Sequence, residues 1–140
     1  LDPWRELNNG RTLTLYDLGR ISHLIRSDLK NKIMAKGWRF TVAGSSIQYR
    51  KRITVFNLLK VNTRLLGWDE RFLYFQQSMW HKNNPASSIL IRSAVTDTNG
   101  IVESERFLKA VDYNGPKLNL PKWVIDWSKA ESLRTWPPEI

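Results

Sequence analysis

The chain opens on Asp2-Pro3-Trp4-Arg5-Glu6-Leu7-Asn8-Asn9-Gly10, which sets a carboxylate a few residues ahead of a stretch with helical apolar spacing. A helix start presents unpaired backbone N–H groups at the positive end of its dipole. A carboxylate beside such donors is the minimum equipment for acyl transfer. The carboxylate attacks or activates water, and the N–H groups hold the oxyanion. The same residues also suit a plain structural role, because Asp, Asn and Gly ahead of a helix are ordinary capping and turn residues.

Other chemistries have less to stand on. The chain has no Cys, which excludes thiolate catalysis, disulfides and Cys-based zinc sites. Ala43-Gly44-Ser45-Ser46 only faintly resembles a nucleophile elbow, and neither a Walker A loop nor GxGxxG is present. His23 and His81 have no companion at metal-ligand spacing, and nothing points to a Ser-His-Asp triad. The expected reactive group is therefore a carboxylate, with no metal or other cofactor. Charge adds a second constraint. Lys and Arg number 22 against 13 Asp and Glu, a formal net charge of +9. That favours an anionic partner: nucleic acid, an anionic membrane surface or a phosphorylated small ligand. The densest basic run, Arg50-Lys51-Arg52, reads either as a phosphate contact or as a solvated strand end.

These residues need elements to position them. Leu15, Leu18, Ile21, Ile25, Leu29 and Ile33 recur at spacings of three and four, and Tyr16, Leu24 and Met34 widen the stripe. The spacing predicts one helix over Thr12–Lys36, capped by Asn8 or Asn9 and stopped at Gly37. About 25 residues at 1.5 Å each make a rod of about 37 Å. So broad a stripe needs a large surface to cover it. Alternation supplies that surface over Trp38–Val42, Ile47–Arg50, Leu59–Leu65, Phe72–Trp80 and Ser88–Thr96, with a bulge expected at Gly44-Ser45-Ser46. Turns are expected at Gly67-Trp68-Asp69-Glu70, Asn83-Asn84-Pro85 and Asn99-Gly100. A short helix follows over Glu103–Val111, and a last one over Pro121–Arg134 with Trp123, Trp127 and Leu133 on one face. The order predicts an α+β fold, a curved, mostly antiparallel sheet wrapped around one long helix.

A length of 140 residues fits one domain, and 41% hydrophobic content is enough for a core. The sequence has no apolar run near 18 residues and no visible signal peptide. Leu1 in place of an initiator Met reads the chain as a fragment, with an N-terminal strand and any targeting signal expected upstream. The expected division is a main domain over 1–111 and a C-terminal helical extension over 112–140.

The opening motif and the order of elements together resemble the hotdog-fold acyl-CoA thioesterases of the 4-hydroxybenzoyl-CoA thioesterase type, closest to an uncharacterised bacterial thioesterase-like branch. In that family a segment Asp-x-x-Gly-His-x-Asn-Asn leads into the central helix, and here Asp2 to Asn9 fills it. Thr63 to Tyr74 looks like the family's third-to-fourth strand turn, and the similarity covers about residues 2 to 110. The resemblance implies a hotdog fold, hydrolysis of an acyl-CoA or acyl-carrier-protein thioester, and a homodimer or homotetramer in the cytoplasm. It assigns Asp2 as nucleophile or general base, and the backbone N–H groups of Leu7, Asn8, Asn9 and Gly10 as oxyanion donors. Asp17 is the candidate for a family branch that draws its carboxylate from the helix. Arg50, Lys51, Arg52, Arg71 and Arg92 are nominated for the CoA phosphates.

One departure matters. The family's Gly-His is Arg5-Glu6 here. A cation near Asp2 would keep it ionised but less basic, and Glu6 adds a second carboxylate that could assist or take over. Two other readings stay open. One is a hotdog domain that binds acyl-CoA or acyl-carrier protein without turning it over. The other is a basic nucleic-acid-binding module, against which the cations form no single stripe and the aromatics fall mostly in core phase.

Overall fold

Alternation rich in β-branched and aromatic residues builds five strands: β1 (Arg39–Tyr49), β2 (Leu59–Trp68), β3 (Leu73–His81), β4 (Asn84–Asp97) and β5 (Gly100–Val102). Helix α1 (Leu29–Ala35) precedes them, and α2 (Ser104–Ala110) and α3 (Lys122–Ser132) follow. The computed structural model describes residues 16, 29–52 and 59–139. The helix expected over Thr12–Lys36 is met at Tyr16 and in α1, and the rest of that stretch lies outside the described residues. Every pairing is antiparallel, in the order β1-β4-β3-β2, with β5 added to β4. The result is the expected α+β fold with a curved antiparallel sheet.

The register divides the side chains into two faces. Ile47, Ile89, Gln77 and Thr63 form one row across four strands, and Gln48, Ser88, Ser78 and Asn62 form the next, pointing the other way. The first face is the inner one. Ile33 of α1 packs there with Trp38, Leu73, Val95 and Phe107, and Tyr16 packs with Met79, Ile89 and Ile91. Each fully buried Ile, Val, Leu or Met side chain contributes about 1.5–3 kcal/mol, so this face holds the fold together.

Among the described residues the outer face is covered only in part. Val124 of α3 is fully buried against Leu66, Tyr74 and Leu90. Two bulges seat this C-terminal segment. A Cβ on Gly44 would sit 3.3 Å from Trp127 Cη2, and one on Gly67 would sit 3.0 Å from Leu120 Cδ2. Gly67 also has φ of 151°, a conformation that other residues rarely adopt. The Tyr74 hydroxyl donates to Asp69 Oδ2 at 2.8 Å and lies 3.2 Å from Ser128 Oγ, tying α3 to the β2–β3 turn.

Three expectations change. Gly67 and Trp68 belong to β2, and the turn begins at Asp69, whose Oδ1 accepts the N–H groups of Arg71 and Phe72 at 3.0 and 2.8 Å. The chain reverses at Lys82 and Asn83, both with positive φ, so Asn84 and Pro85 already belong to β4. Helix α3 buries Val124 rather than Trp123 or Leu133, which are 50% and 82% exposed. Its seat on the sheet, and not its apolar count, selects the buried face.

Candidate functional site

Two polar groupings interrupt this plan, one on each face. On the inner face Tyr16 is fully buried, and its hydroxyl lies 2.7 Å from Ser87 Oγ. Gln77, also fully buried, donates from Nε2 to the Tyr16 backbone oxygen at 3.0 Å and to Thr63 Oγ1 at 3.2 Å. A buried carboxamide costs stability unless it is bonded, so the cluster fixes Tyr16 at one place on the sheet. Burial raises the Tyr16 phenol above 10.0, and the Ser87 hydrogen bond partly offsets this. The phenol is therefore neutral at physiological pH. Tyr16 directly precedes Asp17, a candidate carboxylate.

On the outer face an open cleft of about 620 Å³ runs over β2, β3 and β4. Asn62, Gln76, Ser78 and Ser88 bring polar groups to its lining. Arg50, Lys51 and Arg64 stand around it, all exposed. The N–H groups of Arg50 and Lys51 both donate to Ala86 O, at 2.9 and 3.1 Å, which bends the chain where β1 ends. Trp80 borders the cleft with its indole N–H donated to Ser78 Oγ at 2.8 Å. Ser87, the Tyr16 partner, also belongs to the lining of the cleft.

The nominated residues divide sharply. Asp2, Glu6, Leu7, Asn8, Asn9, Gly10 and Asp17 lie outside the described residues. Arg50 and Lys51 come together at the cleft, and Arg52 is the exposed residue that follows them. Arg71 lies over the Phe72 ring at 5.5 Å, by the β2–β3 turn. Arg92 is held between the rings of Phe72 and Trp127 at 4.6 and 5.2 Å, and its buried Nε has no hydrogen-bond partner. The structure thus sets Arg92 beneath α3, away from Arg50 and Lys51. Among the described residues no group of His, Asp and Glu is placed to hold a metal. Arg64 and Gln77 are not singled out from sequence, and Tyr16 and Trp80 read only as part of the helical stripe and as the end of a strand. Alternation put Arg64 in phase with Asn62, but only the cross-strand register shows what that phase faces.

The family model described as the thioesterase-like superfamily matches residues 1–128. Protein THEM6 of Xenopus laevis is 34% identical over 135 residues, and the match takes in 92% of this chain and 62% of the frog protein. Among solved structures, YbaW of Escherichia coli, a probable thioesterase, superimposes with a TM-score of 0.74 at 20% identity, over 80% of this chain and 88% of that one. A thioesterase from Thermus thermophilus, complexed with coenzyme A and Zn, gives 0.64 at 21% identity, over 80% and 86%. The fold is thus the hotdog fold that the order of elements and the opening motif together implied.

Proposed function

The chain belongs to the thioesterase-like superfamily, and on that premise we propose that it hydrolyses an acyl thioester of coenzyme A or of an acyl-carrier protein. The observation that carries the reading is the reach of the family match. Residues 1–128 include the opening carboxylates, Asp17 and the whole sheet. In the reaction a carboxylate takes a proton from water as the oxygen adds to the thioester carbonyl. A C–O bond forms, the C–S bond breaks, and the thiolate leaves and recovers the proton. In the covalent variant the carboxylate itself adds, and water then hydrolyses the mixed anhydride. Asp2 is our first choice for the carboxylate, with Glu6 and Asp17 as the other two. Backbone N–H groups of Leu7 to Gly10 hold the oxyanion.

The same proposal includes a homodimer or homotetramer and a cytoplasmic setting. Among the described residues no helix is long and apolar enough to cross a membrane. A second reading, binding of the thioester without turnover, is favoured by Arg5-Glu6 in place of the family's Gly-His. The test is thiol release from a panel of short, medium, long and aromatic acyl-CoA substrates. Turnover of at least one supports hydrolysis. Binding of the panel with no thiol release replaces it with the second reading.

A further inference from the structure

Trp80 lies between two groups of cations. Arg50, Lys51 and Arg64 line the cleft on one side of it, and Lys60 and Lys82 line the recess on the other. Among the described residues neither lining includes a carboxylate. Arg50, Lys51 and Arg64 form no ion pair among the described residues. The ion pairs among the described residues, Asp97 with Arg106, Asp126 with Lys122 and Glu131 with Arg134, all lie elsewhere. Unpaired cations gathered around one cleft create a field that attracts an anion.

The remaining lining narrows the anion. Trp80 is half-buried, and the bond from its Nε1 to Ser78 Oγ holds the indole in one orientation at the cleft wall. A fixed indole offers a surface on which a planar ring stacks, and stacking of a base on an aromatic side chain is worth about 1–3 kcal/mol. Asn62, Gln76, Ser78 and Ser88 supply donors and acceptors in the lining. A volume of about 620 Å³ falls within the about 300–1,000 Å³ of small-ligand pockets. Arginine is well suited to phosphate because its planar fork can bond two oxygens at once.

We infer that this outer-face cleft takes a nucleotide bearing more than one phosphate, with the base against Trp80 and the phosphates on Arg50, Lys51 and Arg64. This rests on the proposed thioesterase reading for its source: the nucleotide is the one at the end of coenzyme A. Trp80 and Arg64 then become specificity-determining residues. An acyl-carrier protein presents its phosphopantetheine arm with one phosphate and no base, so it has nothing to place against Trp80. The cleft therefore selects coenzyme A over the carrier protein.

Calorimetric titration of the chain with adenosine 3′,5′-bisphosphate tests the site without requiring turnover. Inorganic phosphate and a single-stranded oligonucleotide serve as the competing ligands. The bisphosphate should bind, with inorganic phosphate at least about tenfold weaker. Arg64→Ala and Trp80→Leu should each weaken the bisphosphate by about tenfold. Arg64 is exposed, so its variant keeps the readout if Trp80→Leu fails to fold. In parallel, kcat/KM for an acyl-CoA should exceed that for the matching acyl-pantetheine, and Arg64→Ala should narrow that ratio. Equal binding of bisphosphate and phosphate, wild-type affinity in Arg64→Ala, or tighter binding of the oligonucleotide would each overturn the inference. Bisphosphate binding with no thioester turned over keeps the site and removes the thioesterase reading. Turnover with no bisphosphate binding does the reverse.

Discussion

The two faces of the sheet come from the same strands and do opposite work. Inward, β3 and β4 present Phe75, Met79, Ile89 and Ile91, and the only polar side chains in the central row, Gln77 and Thr63, bond to each other. Outward, the alternate residues of the same strands are Gln76, Ser78 and Ser88, which are half-buried, while α3 covers Tyr74 and Leu90. A period of two lets one strand carry packing and recognition at once. Stability should therefore respond to the inner face, and ligand binding to the outer.

The largest expected effect removes inner-face volume. Ile91 is 1% exposed, and Ile91→Ala should cost about 2–5 kcal/mol, read as a lower urea midpoint at constant slope. Gln77→Leu comes next. It leaves the Tyr16 carbonyl and the Thr63 hydroxyl without their donor, at about 1–3 kcal/mol in the same assay. No change there would mean the inner cluster is not holding Tyr16.

Tyr74 sharpens the comparison, since it is an outer-face residue that is nonetheless fully buried. Burial holds its phenol above 10.0, with Asp69 adding to the shift and Ser128 opposing it. The folded value is raised, so its contribution is complete below pH 10.0 and is lost as pH rises through the folded value. Tyr16 adds to the same alkaline decline. Tyr74→Phe should lower stability by about 1 kcal/mol at neutral pH and make the fall above pH 10.0 shallower. An unchanged alkaline slope would contradict the burial argument. The smallest effect belongs to Arg64→Ala, whose change in stability should stay within about 0.5 kcal/mol even as nucleotide binding weakens.

Much of this division was legible in the sequence. Leu59-Lys60-Val61-Asn62-Thr63-Arg64-Leu65 announces a strand by alternation, and Gly44 announces a break in phase. What the sequence concealed depends on distant partners. Gly67-Trp68-Asp69-Glu70 has turn chemistry, yet Gly67 stays in β2 because Leu120 crosses it. Arg92 has the look of any strand cation until Phe72 and Trp127 close on its two sides. Trp80 joins the basic cleft only through the pairing of β3 with β2 and β4. The opening carboxylates stood out from the start because their signal is local, a short motif ahead of a helical stripe.

The central claim is carboxylate-dependent thioester hydrolysis, and its most direct measurement is thiol release from the best acyl-CoA of the panel by the chain and by Asp2→Asn, Glu6→Gln and Asp17→Asn. The account predicts turnover that falls by about a hundredfold or more in one of the three variants, as expected for loss of a general base, while folding is retained. Turnover that survives in all three, singly and combined, would contradict it.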